Sequence, residues 1–208
     1  MKHLKLFNDV ASYEAWKNSE EYVTPNVVFS EETRVIYTPY VAPVSPNLVL
    51  IFNVTDTSQE TKVMHDYAGR AFTSMIVDGV ETDFDYYYQF NTIGKHKVEF
   101  VFAEGYNNRI DEGWLRINRY NDVNVCVSAE FPATINEINV NSSFDLYFAN
   151  ELIFHSLIEP KTSIGTWNDE TIFFLSETGV LKYPKGADYS NMIQYMATYH
   201  PGWVCVEF

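Results

Sequence analysis

From residue 95 to residue 102 the side chains alternate. His96, Val98, Phe100 and Phe102 fall on one side of an extended chain, and Lys95, Lys97 and Glu99 fall on the other. A run of period two suits a strand with one dry and one wet face, and such a strand needs partners. Residues 48–54 alternate in the same way, with Leu48, Leu50, Phe52 and Val54 on a shared face. Ser74-Met75-Ile76-Val77 and Val80-Glu81-Thr82 flank Asp78-Gly79, a pair that readily supplies the two positive φ angles of a type I′ turn. Residues 86–90 read as a further strand, and Asn91-Thr92-Ile93-Gly94 turns the chain into 95–102. Several short strands with frequent turns predict an immunoglobulin-like β-sandwich over residues 41–105.

The flanks read differently. Residues 1–40 form a short α/β unit: a helix over 10–17 that Asn8 or Asp9 can cap, then a hairpin of Val27-Val28-Phe29 with Arg34-Val35-Ile36-Tyr37. Pro39, Pro43 and Pro46 stiffen residues 38–47 into a linker. Residues 106–208 predict a compact β-rich region, with strands over 114–117, 124–128, 137–140, 152–154, 172–175 and 180–183. A terminal helix over 190–200 follows, with Asp188 or Ser190 as its cap, and Pro201-Gly202 stops it before a last strand. The expected fold class is thus mainly β. It comprises an N-terminal anchoring or capping unit (1–40), a sandwich (41–105) and a C-terminal β-rich domain with a helix (106–208).

Charge limits the partners. Against 28 acidic residues stand 14 Lys and Arg, a formal net charge of -14. A field of that sign repels phosphate backbones and anionic lipid, so neither nucleic acid nor membrane is an expected partner. No apolar stretch reaches the roughly 20 residues that span a bilayer, and the charges in Met1-Lys2-His3-Leu4-Lys5 do not suit a signal peptide.

Residues that carry chemistry are sparse. None of the five histidines has a histidine or cysteine partner three or four positions away, so no zinc spacing appears, and there is no glycine-rich phosphate loop or nucleophile elbow. No catalytic residue and no cofactor are expected. Cys126 and Cys205 sit in apolar strand-like runs, where buried free thiols are usual, although a disulfide between them stays open. Glu81, Asp83 and Asp85 share one face at i, i+2, i+4. That pattern can bind calcium through oxygen ligands, can serve a glycosidase if two carboxylates converge across a cleft, or can simply be a solvated edge. Tyr86, Tyr87 and Tyr88 alternate across a strand, so at least one faces outward. With Trp16 they are the candidate interaction surface, for sugar stacking, protein docking or homo-oligomer packing.

Three stretches carry a resemblance. The first runs from Leu4-Lys5-Leu6-Phe7-Asn8 to Val35-Ile36-Tyr37. The second holds Phe52-Asn53-Val54-Thr55-Asp56, Asp78-Gly79-Val80-Glu81 and Gly94-Lys95-His96-Lys97-Val98-Glu99-Phe100. The third is Gly179-Val180-Leu181-Lys182-Tyr183-Pro184-Lys185-Gly186, followed by Gly202-Trp203. Together they resemble BspA-type leucine-rich-repeat surface proteins of gut Bacteroidales and virion proteins of the crAss-like phages that infect those bacteria. The resemblance implies an anchoring unit, an Ig-like domain, a repeat array and a C-terminal cap, and no catalytic residues. The repeat unit itself is echoed only at residues 131–138 and 161–165, so residues 106–208 are expected to be a degenerate leucine-rich-repeat-like relic. The expected function is a phage virion structural protein, such as a head fibre, capsid decoration or tail-associated module. It would be assembled in the host cytoplasm and would dock on other virion proteins. The alternative is a secreted adhesin of the bacterial cell surface, or a glycan-binding module that meets a host surface glycan.

Overall fold

The computed structural model describes residues 5–7, 26–29, 35–38, 45–111, 114–117, 122–139, 144–162, 167 and 173–208. The chain divides into two compact units, Met1–Pro43 and Val44–Phe208. In the first, strands β1 (Lys5–Phe7), β2 (Asn26–Phe29) and β3 (Val35–Thr38) form an antiparallel sheet in the order β1-β3-β2, and β2 with β3 is the expected hairpin. The helix expected over 10–17, and Trp16 with it, lie outside the described residues.

The second unit is built on β4 (Leu48–Val54). Leu48, Leu50, Phe52 and Val54 are buried on one face, and Val49 is buried on the other. β4 pairs antiparallel with β9 (Gly94–Phe102) on one side and with β11 (Val125–Phe131) on the other. Beyond β9 come β6 (Phe72–Val77) and then β7 (Val80–Asp83). Beyond β11 come β14 (Glu151–Phe154), β17 (Gly179–Tyr183) and β18 (Trp203–Glu207), each parallel to the last. The result is one mixed 8-stranded sheet, antiparallel from β7 to β11 and parallel from β11 to β18. The expected division at 105/106 falls inside this sheet. Its physical reason is β4, which hydrogen-bonds across that division and shares one buried cluster with Phe131, Leu152 and Leu181.

Smaller ladders complete the unit. β10 (Arg109–Ile110), β12 (Glu137–Ile138) and β15 (Lys161–Thr162) stack in parallel, as do β13 (Phe144–Leu146) and β16 (Phe173–Leu175). β5 (Thr61–Lys62) pairs antiparallel with β8 (Tyr87–Tyr88). Within residues 41–105, the second layer of the expected sandwich amounts, among the described residues, to this β5–β8 ladder.

The turn chemistry acts as the sequence predicts. Asp78 and Gly79 have φ of 50° and 85°, and they join β6 to β7. The Asp78 carboxylate also accepts from the Lys97 backbone N–H at 2.9 Å and lies 2.6 Å from His96 Nδ1. One expected strand is absent. Residues 114–117 form a turn, in which the Trp114 N–H reaches the Asp111 carbonyl at 3.4 Å and the His65 N–H reaches the Trp114 carbonyl at 3.1 Å. Trp114, Leu115 and Ile117 are apolar because they are buried, not because they alternate. The tyrosine strand is also shorter than expected, Tyr87–Tyr88 only.

Helix α1 (Ser190–Tyr199) buries Met192, Tyr195 and Met196. The N-cap position is Tyr189, not the expected Asp188 or Ser190, and it has no side-chain cap; Asp188, one residue earlier, accepts from the Ser190 N–H through Oδ1 at 3.0 Å. The second acceptor comes from far away. Glu159 takes the Met192 N–H at 2.5 Å and the Asn191 side-chain amide at 2.8 Å, so a distant carboxylate meets the positive end of the helix. Burial pushes the Glu159 carboxyl above the usual range, and it outweighs these two hydrogen bonds; the Asp188 charge adds to the rise. A raised acid contributes stability below its ordinary value and loses that contribution as pH climbs through the folded value. Glu159→Ala is expected to cost about 1 kcal/mol, the usual worth of a cap. Glu159→Gln keeps an acceptor without the buried charge. Its denaturant midpoint should therefore gain on the wild type between about pH 4 and about pH 7, and an equal gap at both would refute the assignment.

Candidate functional site

The three acids expected to share a site are not brought to one point. Glu81 and Asp83 lie on β7, at the edge of the sheet, and both are exposed. Glu81 accepts from the Ser74 hydroxyl at 2.9 Å. Asp85 lies past the strand and folds back on its own turn, accepting from the N–H of Tyr86 at 2.6 Å and of Tyr87 at 3.3 Å. Among the described residues, no group of three or more His, Cys, Asp or Glu is placed to hold a metal ion. Cys126 and Cys205 are not joined in a disulfide; burial pushes the Cys126 thiol up to about 12 and raises Cys205 in the same direction, which keeps both as thiols.

The three tyrosines go three ways. Tyr88 is half-buried and packs edge-on against Phe90, with ring centroids 4.9 Å apart. Tyr87 is 44% exposed and borders a hollow of about 330 Å³ with Lys62, Asp122 and Asn124. Tyr86 borders a second hollow, of about 450 Å³, which shares none of the first hollow's lining residues.

This second hollow is assembled from four loops that backbone hydrogen bonds tie together. Asp66–Ala68 form a short 3-10 turn, whose entry is fixed by His65 Nδ1 accepting from the Tyr67 N–H at 3.4 Å. The Ala103 N–H reaches the Ala71 carbonyl at 2.7 Å, the Tyr106 N–H reaches the Ala103 carbonyl at 3.1 Å, and the Tyr86 carbonyl accepts from the Val63 N–H at 2.8 Å. Trp114 is buried beneath, its ring edge-on to Phe72 at 5.4 Å and 6.5 Å from Tyr106. Tyr67 stands 67% exposed at the rim.

The polar lining is planar and mostly paired. Arg109 Nε lies 3.1 Å from Asp111, and Lys62 lies 3.7 Å from Asp66. Arg70 is exposed and forms no ion pair among the described residues. Gly69 closes the frame. A Cβ built on it would sit 1.9 Å from the Tyr86 hydroxyl, so the absence of a side chain there is what lets the tyrosine lie against the turn.

Of the aromatic lining, the sequence reading found only Tyr86. Tyr67, Arg70, Tyr106 and Trp114 were missed because they sit on loops, where periodicity carries no signal. The available clue was local: aromatic residues in Gly-containing segments beside Arg and Asp, as in Tyr67-Ala68-Gly69-Arg70 and Gly105-Tyr106. No protein-family model, no curated protein and no solved structure matches the chain. The placement of the three acids sets an expectation for calcium. Adding millimolar calcium should leave the thermal unfolding midpoint where it is, and a rise that Asp83→Asn abolishes would restore the three carboxylates to a common site.

Proposed function

We propose that the chain is a non-enzymatic structural protein of a phage particle: a head fibre, capsid decoration or tail-associated module that docks on other virion proteins and meets the host surface. The observation that carries this reading is the set of parallel pairings. Ser128 pairs with Glu151, Glu151 with Val180, and Val180 with Val204. Each step falls within the roughly 20–29 residues of a leucine-rich repeat. This supports the resemblance to BspA-type repeat proteins and crAss-like virion proteins, with residues 106–208 as the degenerate array and the antiparallel strands before it as its Ig-like companion. The separate compact unit Met1–Pro43 suits the anchoring role.

A second reading has its own observation. The hollow at Tyr86 combines aromatic rings with planar polar groups, which favours a glycan-binding adhesin of the bacterial surface. Immunogold labelling of an infected culture, with antibody to this chain, separates the two locations. Gold at a fixed site on particles is expected, and deletion of residues 1–43 is expected to remove it. Gold on cell envelopes beside bare particles would replace the virion reading with the adhesin.

A further inference from the structure

We infer that the hollow between the 3-10 turn and Trp114 is a saccharide site, and that its ligand is a pyranose bearing a carboxylate, as in a uronic-acid-containing glycan. The inference deepens the recognition role just proposed, because it rests on the chain meeting a glycan-coated surface.

The ring faces come first. Tyr67 and Tyr86 stand at the rim and Tyr106 on the wall, all three at least partly open, with Trp114 as the floor. Aromatic faces carry partial negative charge and pack against polarised C–H groups, which a pyranose presents on its flat sides. The hollow is about 450 Å³, within the roughly 300–1,000 Å³ of small-molecule sites. Carboxylates of Asp66 and Asp111 offer acceptors for sugar hydroxyls at the same rim.

Charge selects the kind of sugar. Asp111 is matched by Arg109 and Asp66 by Lys62, so these four groups cancel. Arg70 forms no ion pair among the described residues and sets a fork of N–H donors beside the hollow. It is a short-range positive group, within the roughly 8–10 Å over which salt leaves charges unscreened, whereas the repulsion from a formal net charge of -14 is spread over the whole molecule and is screened. A guanidinium in that position fits a planar carboxylate. A neutral sugar would leave it unmatched, and a free anion without a ring would leave the tyrosines unused.

Gly69 is the positioning residue. Its φ of -61° is ordinary helical backbone, so alanine is tolerated by the chain itself. The added methyl would instead collide with the Tyr86 hydroxyl, the far end of a movable side chain. Gly69→Ala therefore displaces the ring while the fold stands.

The test is isothermal titration of the full chain with an oligogalacturonate and with its neutral galactose counterpart. The uronate is expected to bind, and the neutral oligosaccharide about threefold or more weaker, the modest worth of one exposed ion pair. Gly69→Ala should weaken uronate binding about tenfold, the contribution of one aromatic contact. Arg70→Gln should bring the uronate down to the neutral level. Tyr87→Ala, in the neighbouring hollow, should bind as the wild type does. No uronate binding, equal binding of both sugars, or loss in Tyr87→Ala with none in Gly69→Ala would each overturn the inference. Gold on particles together with no saccharide binding would sink this site alone and leave the virion role standing.

Discussion

The rest of the second unit depends on the hydrogen bonds that β4 makes along both of its edges. One edge meets β9 and the other meets β11, and the side chains of Leu48, Leu50 and Phe52 fill the space beneath both neighbours. Paired along both edges, β4 is internal to the sheet, with one face fully buried and the other buried at Val49 and half-buried at Ile51 and Asn53. The bulge between Cys126 and Ser128 lets β11 keep that partnership while its own inward residues stay aligned, with Cys126 opposite Phe52 and Ala129 opposite Leu50. From this seam the sheet runs antiparallel one way and parallel the other.

The far face of the sheet is held differently. Lys182 reaches Glu151 at 2.6 Å, the Ser128 hydroxyl reaches the same carboxylate at 3.2 Å, and His155 lies 2.6 Å from Glu130. The His155 hydrogen bond holds the Glu130 carboxyl below its usual value against the opposing effect of burial. Such half-exposed pairs contribute little each. Their value here is placement, since each acid on this face that has a basic neighbour is one fewer source of repulsion in a strongly acidic molecule.

What the sequence made legible was local. The alternation in residues 95–102 and 48–54, the positive φ angles at Asp78-Gly79, the hairpin of β2 with β3 and the helix α1 that stops before Pro201-Gly202 all follow from neighbours a few positions apart, and they appear as read. What it hid was long-range. Nothing in Leu48–Val54 announces that Val125–Phe131 will pair with it, which is why the unit was expected to divide at 105/106. The same limit explains the helix cap from Glu159 and the hollow, whose lining comes from four loops that only the folded chain brings together. Tyr86, Tyr87 and Tyr88 were legible as an alternating surface, but not as belonging to two separate hollows and a packed edge.

The two halves of the sheet also differ in the order in which a growing chain can make them. The strands β4, β6, β7 and β9 are all present once residue 102 has emerged; the tight turn at Asp78-Gly79 lets β6 pair with β7 at once, and β4 then closes on β9 across the residues between them. β11 then adds to a finished edge, and β14, β17 and β18 each add to the strand made before it. Assembly on the ribosome can thus proceed by accretion in one direction, from N-terminus to C-terminus. Once β11 is in place, only the newest strand on this growing side leaves its backbone groups open to water and to other chains, while β7 stays the edge on the opposite side, so the parallel half is built without exposing more than one raw edge as it grows.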